Sequence, residues 1–253
     1  MIKKRCTISN LTAAEQEQQN TYIARYKKNP PSISKNHGKS FYNLFELDFS
    51  NQQCDIPHFD KVHSKVMRID KAGTQLESLP KEIQNILQLK DKSVLDFGCG
   101  LGEFVHDIVE NFGATKAYGI DLASVELALT SKYESDKCIF KSGGATYIDL
   151  PDDSVDIVTA FLSLEHVHSD NVDTLISEFC RVCKSGFIFQ ISHKPKSKGN
   201  MRLTSERFPW WYDKFEPHID QLYLYHFPKD DYKWDVPPRS KLTRWICTIE
   251  ENK

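Results

Sequence analysis

The sequence predicts an α/β fold in which a mostly parallel sheet carries helices on both faces. Two observations predict it. Val94-Leu95-Asp96-Phe97 is apolar up to an acid, glycines recur at 98, 100 and 102, and Phe104, Val105, Ile108, Val109 and Phe112 then follow at helical spacing. Further apolar runs near Ala117, Ile139, Ile157 and Ile188 alternate with segments that predict helices from about Glu103, Ser124 and Asn171. Such alternation favours right-handed crossovers, and sheets of this kind bind ligands at the carboxyl ends of their strands. Asp96, Asp121, Ala145 and Phe161 all fall at those ends.

Ahead of the sheet, Thr12-Ala13-Ala14-Glu15 is a capping-box pattern that opens a polar helix toward Lys28, and Pro30-Pro31 stops it. The stretch from Ser32 to Pro57 is polar but carries Phe41, Tyr42, Phe45 and Phe49. A helix is expected over Asp60 to Asp70. Another follows Pro80, with Ile83, Ile86 and Leu87 on one face. Residues 1–92 therefore read as a helical N-terminal lid, ending near Lys90-Asp91-Lys92, and residues 93–253 as the core. After the fifth strand comes an aromatic insertion around 194–220, with Trp210-Trp211-Tyr212 beginning a helix toward His218. Leu222 to Phe227 and Leu242 to Ile249 read as two final strands, separated by a loop containing Pro237-Pro238.

The chain has 253 residues, with 33 basic and 35 acidic side chains interspersed and a formal net charge of −2. That length supports one buried core with a substantial lid. The charge balance disfavours nonspecific nucleic-acid binding. Lys194, Lys196, Lys198 and Arg202 form one local basic cluster, read as a solvated loop. Met1 to Asn10 is basic and polar, which predicts no secretory signal, and no apolar run is long enough to cross a bilayer. The cytoplasm is the expected compartment, with seven cysteines as reduced thiols. Cys180 and Cys183 form a lone C-x-x-C inside an expected helix and read as packing residues, not metal ligands. No metal is expected.

Glycine-rich turns let a ligand approach the backbone closely. Here the spacing is G-x-G-x-G, with Glu103 in the place of the last glycine of a dinucleotide fingerprint. Asp96 at the strand tip would repel a pyrophosphate. A ligand with a cationic group and ribose hydroxyls, such as S-adenosylmethionine, suits that tip better. The second run, Lys116 to Ile120, ends in Asp121, at the spacing expected for an acid that accepts both hydrogens of a ribose diol.

The chain from about Ser93 to Ser192 resembles the class I S-adenosylmethionine-dependent methyltransferases. The resemblance is carried by Asp96-Phe97-Gly98-Cys99-Gly100-Leu101-Gly102, Gly119-Ile120-Asp121, Leu150-Pro151 with Ser154-Val155-Asp156, Leu164-Glu165-His166-Val167, and Glu178-Phe179-Cys180-Arg181-Val182-Cys183-Lys184-Ser185-Gly186. It implies a Rossmann-like, seven-stranded, mostly parallel sheet whose last two strands form an antiparallel hairpin. It also implies that Gly98, Gly100 and Gly102 line the methionine part of the cofactor, with Asp96 near its amino group. Asp121 would hold the ribose and Leu122 would pack on the adenine. Gly144-Ala145 would meet the adenine edge, and Phe161 and Leu162 would face the cofactor. The family often has Asp-Ala at 144–145; Gly144 has no carboxylate, so backbone groups or a neighbour must replace it. The Asn/Asp-Pro-Pro-Tyr/Phe signature of many amino-group methyltransferases is absent, the segment reading Ala160-Phe161-Leu162-Ser163-Leu164-Glu165.

Methyl transfer needs a base only when the acceptor arrives protonated, and histidine suits that role near neutral pH. His193, at the end of the fifth strand, and His166, just after the fourth, are the candidates; Tyr147 has less support. Arg68 and Lys65 are candidates to reach the cofactor from the lid. Trp210-Trp211-Tyr212 is expected to wall the acceptor, and flat aromatic faces suit sugar rings. The resulting expectation is methyl transfer to a small-molecule acceptor, with a sugar or sugar-linked metabolite as one class. A protein or RNA acceptor, and a catalytically silent binding subunit of the same fold, remain open. The sequence leaves the oligomeric state open.

Overall fold

A computed structural model describes residues 11–28, 54–55, 66–69, 81–122, 132–193, 201–225 and 242–249. Helix α1 (Ala13–Lys28) starts at the expected cap. Thr12 Oγ1 accepts from the Glu15 N–H at 3.3 Å, and the Glu15 carboxylate accepts from the Thr12 N–H at 2.9 Å. After it come β1 (Cys54–Asp55), β2 (Val66–Ile69), α2 (Lys81–Leu87), β3 (Ser93–Phe97), α3 (Glu103–Glu110), β4 (Lys116–Asp121) and β5 (Cys138–Ser142). The remaining elements are β6 (Val155–Phe161), α4 (Val172–Val182), β7 (Cys183–Ser192), α5 (Phe208–Phe215), β8 (Gln221–Tyr225) and β9 (Leu242–Thr248).

The strands form one sheet in the order β1-β2-β8-β9-β7-β6-β3-β4-β5. The seven from β8 to β5 are the expected core. Pairing is parallel from β5 through β4, β3 and β6 to β7, while β9 runs antiparallel to both β7 and β8. The chain order reverses at the centre: β4 and β5 extend one way from β3, and β6 and β7 the other. The β3 and β6 tips are therefore the switch point where such sheets open a crevice.

The strands read as nearly continuous apolar runs because both faces are covered. Alternate side chains separate into two clusters. On one face Leu95, Val158, Phe187, Phe189, Leu224 and Trp245 pack with Leu175 and Phe179 of α4 and with Trp211 and Phe215 of α5. On the other, Val94, Ala117, Ile157, Ile188 and Ile246 pack with Ile83 and Ile86 of α2 and with Val105 and Ile108 of α3.

Three expectations are corrected. Within Asp60–Asp70 the described segment Val66–Ile69 is a strand, pairing parallel with β8 from Val66 opposite Leu222 to Ile69 opposite Tyr225. A short run rich in β-branched residues is drawn into the ladder by an open sheet edge. Residues 1–92 are thus not a purely helical lid: they add β1 and β2 to the sheet, and α2 is a core helix whose Ile83 and Ile86 are 0% and 1% exposed. Finally, Cys183 does not share the helix of Cys180 but opens β7, where burial pushes its thiol pKa up to about 12. The C-x-x-C is a packing feature, and no group of side chains suited to a metal occurs among the described residues. The helix expected from Ser124 and the loop around Pro237-Pro238 lie outside the described residues.

Gly186 is closely packed on two sides: a Cβ there would lie 2.1 Å from the Cys247 carbonyl oxygen of β9 and 2.6 Å from Ile86 Cδ1 of α2. Gly186→Ala is expected to destabilise the fold by about 2 kcal/mol. The measurement is a urea midpoint that falls while the slope stays constant.

Candidate functional site

The β3 tip leads into the glycine turn, and the turn is held from two sides. The Gly98 N–H donates to the Ile120 carbonyl at 2.7 Å, and the Cys99 N–H to the same oxygen at 3.1 Å. The Ser163 hydroxyl, beyond β6, donates to the Phe97 carbonyl at 2.8 Å. Gly98 has φ +76°, and a Cβ there would stand 2.3 Å from Ser163 Cβ, so conformation and space both demand glycine. Gly102 caps α3 at φ +78°. Gly100 differs from Gly98: its φ is +53°, but a Cβ there would meet nothing within 4 Å. Its N–H donates to Asp121 Oδ2 at 3.0 Å, tying the turn to the β4 tip. The turn therefore has a bare backbone cradle beside an acid, which fits a ligand with hydroxyl and cationic groups.

Asp96 supplies the second acid. It lies on β3 between β4 and β6 and is 4% exposed. Burial pushes its carboxyl pKa up to about 7; the Thr159 hydroxyl, donating to Oδ1 at 2.8 Å, opposes that rise, and the neighbouring Asp121 charge adds to it. A buried carboxylate with one hydroxyl partner and a like charge nearby lacks a cation. The amino group of an amino-acid moiety is a natural complement.

Beyond Asp121, the Leu122 carbonyl and the Ser142 hydroxyl both accept from Gln19 Nε2 of α1, at 2.5 and 3.1 Å. Gly144 has no side chain, and the space is filled from outside: a Cβ there would lie 2.3 Å from Glu15 Oε1. That carboxylate accepts from the Ala145 N–H at 2.7 Å, the Thr146 N–H at 3.1 Å and the Thr146 hydroxyl at 2.9 Å. Burial opposes its ionisation, yet the bonds from Thr12, Thr146 and Ala145 outweigh burial and hold its pKa below the ordinary glutamate value. On the far side of the switch point, Phe161 meets Phe104 edge to face at 5.7 Å between ring centres. Leu162 is left-handed, at φ +55°, and 37% exposed.

The two histidines occupy different settings. His193 spends both ring nitrogens on the scaffold: Nδ1 is 2.9 Å from the Glu206 carbonyl and Nε2 is 2.7 Å from the Thr243 hydroxyl. At His166, Nδ1 lies 3.0 Å from the Met201 carbonyl and 3.1 Å from the Tyr22 hydroxyl of α1. A carbonyl only accepts, so Nδ1 carries the proton and Nε2 the lone pair. Burial lowers the His166 pKa below the ordinary histidine value, the Met201 carbonyl pulls the other way, and Arg202 lowers it further.

Other sequence candidates go elsewhere. Trp211 and Tyr212 are 1% and 0% exposed and belong to the core, so the expected acceptor wall is corrected. The spacing Phe208, Trp211, Tyr212, Phe215 is an apolar helical stripe facing the sheet. Only Trp210 stays partly exposed, with Lys214 Nζ 5.6 Å from its ring. Tyr147 is 41% exposed, with the Arg181 guanidinium 5.9 Å from its ring. Arg202 approaches the buried Glu165 at 3.9 Å. The side chain of Arg68, and Lys65, Lys194, Lys196 and Lys198, lie outside the described residues. Sequence reasoning missed Thr159, Ser163 and, above all, Glu15, Gln19 and Tyr22. Glu15 had a complete local explanation as a cap, so nothing in its surroundings signalled a partner 130 residues away.

Residues 94–186 match a family model described as a methyltransferase domain. The chain is 35% identical over 102 residues to a protein described as a chloroplastic tocopherol O-methyltransferase from Oryza sativa subsp. japonica, covering 38% of this chain and 27% of that protein. It is 33% identical over 103 residues to the sterol 24-C-methyltransferase ERG6B of Gibberella zeae, covering 39% and 26% respectively. The matches span about a quarter of each of these relatives. Among solved structures, a chain of the complex between the Haloferax volcanii Trm112 methyltransferase activator and a methyltransferase has a TM-score of 0.51 at 16% identity, covering 68% of this chain and 88% of that one. A structure described as a methyltransferase from Bacillus halodurans has a TM-score of 0.50 at 14% identity, covering 70% and 100%. These two likenesses concern the fold.

The buried acid has a measurable signature. Between the ordinary value of 3.8 and about 7 the folded chain holds more protons at Asp96 than the unfolded chain does, so this residue's contribution to stability falls as pH rises through that window. Asp96→Asn removes the titration. Its melting-temperature advantage over the parent, without ligand, is expected to grow from pH 4 to pH 7 and level off above, reaching about 3 °C or more.

Proposed function

We propose that this chain is a class I S-adenosylmethionine-dependent methyltransferase, a reading supported by the methyltransferase-domain match over residues 94–186, and that it transfers a methyl group from that cofactor to a small-molecule acceptor bearing a hydroxyl. The observation that carries the reading is the pair of acids at neighbouring strand tips, one buried without a cation and one tied to the Gly100 N–H. In this reading Asp96 balances the cofactor's amino group, and Asp121 accepts from the two ribose hydroxyls. Gly98, Gly100 and Gly102 let the backbone approach the methionine part. Leu122 packs on the purine, Gly144 and Ala145 meet its edge, and Phe161 and Leu162 border the acceptor side. The cofactor, when bound, supplies a methyl group on a sulfonium leaving group. The protein's own work is to align the acceptor and exclude water.

His166 is the base in this proposal. Its Nδ1 proton is committed to Met201, its Nε2 has no hydrogen-bond partner among the described residues, and its lowered pKa keeps it neutral at pH 7. Nε2 takes the proton that a hydroxyl acceptor loses as its oxygen gains the methyl group. His193 serves as a clasp between the 201–207 segment and β9. The relatives' names, a tocopherol and a sterol methyltransferase, support a small-molecule acceptor. Sugars and sugar-linked metabolites stay within the proposed class, without the support of an aromatic wall. The same reading takes the cytoplasm as the compartment, where thiols stay reduced; among the described residues no helix is long and apolar enough to cross a membrane.

S-adenosylhomocysteine is expected to raise the melting temperature, and Asp121→Ala to weaken its binding about a hundredfold, a loss of about 2.7 kcal/mol. An unchanged melting curve for the parent protein would overturn the cofactor assignment. With labelled methyl donor and a panel of sugars, phenols and alicyclic alcohols, His166→Gln is expected to lower kcat about a hundredfold while S-adenosylhomocysteine affinity stays within about twofold. Equal losses of kcat and affinity would assign His166 a structural role.

A further inference from the structure

A helix docked on a core normally buries an apolar stripe. Helix α1 does otherwise. Among its described side chains, the fully buried ones are Glu15 and Gln19, 3% and 4% exposed, one turn apart on one face. They bond the chain just beyond the β4 and β5 tips. Gln19 bonds the Leu122 carbonyl, next to Asp121, and the Ser142 hydroxyl at the end of β5, and Glu15 bonds Ala145 and Thr146 in the segment that follows. Half-buried Gln18 and Tyr22 extend the contact to the His166 carbonyl at 2.7 Å and to the His166 ring.

The carboxylate of Glu15 has no capacity left for a ligand. It accepts from the Thr12 N–H and hydroxyl, the Ala145 N–H, and the Thr146 N–H and hydroxyl, five donors for its two oxygens. The Ala145 N–H has one hydrogen to give, and Glu15 holds it at 2.7 Å. A ring nitrogen of a purine lying between Leu122 and Ala145 needs that same hydrogen. The two cannot both have it.

We propose that α1 is an autoinhibitory latch: Glu15 and Gln19 occupy the hydrogen-bonding groups of the cofactor's purine site, and the cofactor binds only as α1 leaves. This rests on the reading of Leu122, Gly144 and Ala145 as the purine site. The latch is held by polar bonds that water can replace at small net cost, which keeps the free energy of release low. Once released, a polar 16-residue helix is marginal by itself and frays. Occupancy of the cofactor site is thereby coupled to the order of the N-terminal segment, and any partner that captures the released α1 raises cofactor affinity.

The test uses the full chain and S-adenosylhomocysteine, with calorimetry for affinity and hydrogen exchange for α1. Saturating ligand is expected to speed exchange of the amides in 13–28. Glu15→Ala is expected to bind about tenfold and Gln19→Ala about threefold more tightly than the parent, because each raises the open fraction. Slower exchange over 13–28 with ligand bound, or weaker binding by Glu15→Ala, would make α1 part of the completed site and overturn the latch. Equal affinities for parent and both variants overturn the latch and leave the cofactor reading standing. No binding by parent or variants removes the cofactor reading, and the latch with it. The exchange measurement on the parent protein decides the matter even if a variant fails to fold.

Discussion

The structure depends on a carboxylate kept dry at the tip of its central strand. Asp96 sits on β3, flanked by β4 and β6, and among the described residues its side-chain hydrogen bond comes from Thr159. Burying a charge this way is costly unless something neutralises it. In the free chain, the rise of its pKa to about 7 performs that neutralisation. The features around the acid favour a cation: a second acid one strand away, a turn with glycine at every other position, and a strand order that reverses between β3 and β6. A core with an uncharged residue at 96 would be a more stable sheet and, on the proposed reading, a poorer binding site.

Much of this was legible in the sequence because it repeats at short range. Glycine at 98, 100 and 102 encodes a turn in which each of these three positions has positive φ, and the spacing of Val105, Ile108 and Val109 encodes the face of α3 that lies on the sheet. Period-two sorting of Phe187 and Phe189 against Ile188 follows from strand geometry alone. The Thr12–Glu15 cap is equally local. The misreadings fall where a local pattern had two tertiary uses. Trp210-Trp211 looked like a recognition surface when read as a pair. Read together with Phe208, Tyr212 and Phe215, it is a core stripe, and that spacing was available in the sequence. Val66–Ile69 is too short to declare itself a strand, and its partner lies about 150 residues away in sequence.

Glu15 is the harder case. Position 144 lacks a carboxylate, and the sequence shows only the loss. The three-dimensional arrangement returns a carboxylate to the same volume from helix α1. Pairing a missing side chain with a distant surplus one requires knowing that the two segments meet, and no single sequence contains that information. The histidines teach the same lesson in another form. Both were plausible bases by position, and only the count of partners on each ring nitrogen separates His166 from His193.

Leu162 carries a consequence of its own. A branched, non-glycine residue held at φ +55° costs on the order of 1 kcal/mol, and its side chain is 37% exposed just past the end of β6. Glycine there would relax the backbone and remove the one exposed large aliphatic side chain among the described residues. Efforts to make the molecule hardier by ironing out unfavourable dihedrals would therefore, on the proposed reading, strip a greasy contact from the acceptor side, because the strain and that surface are one and the same residue.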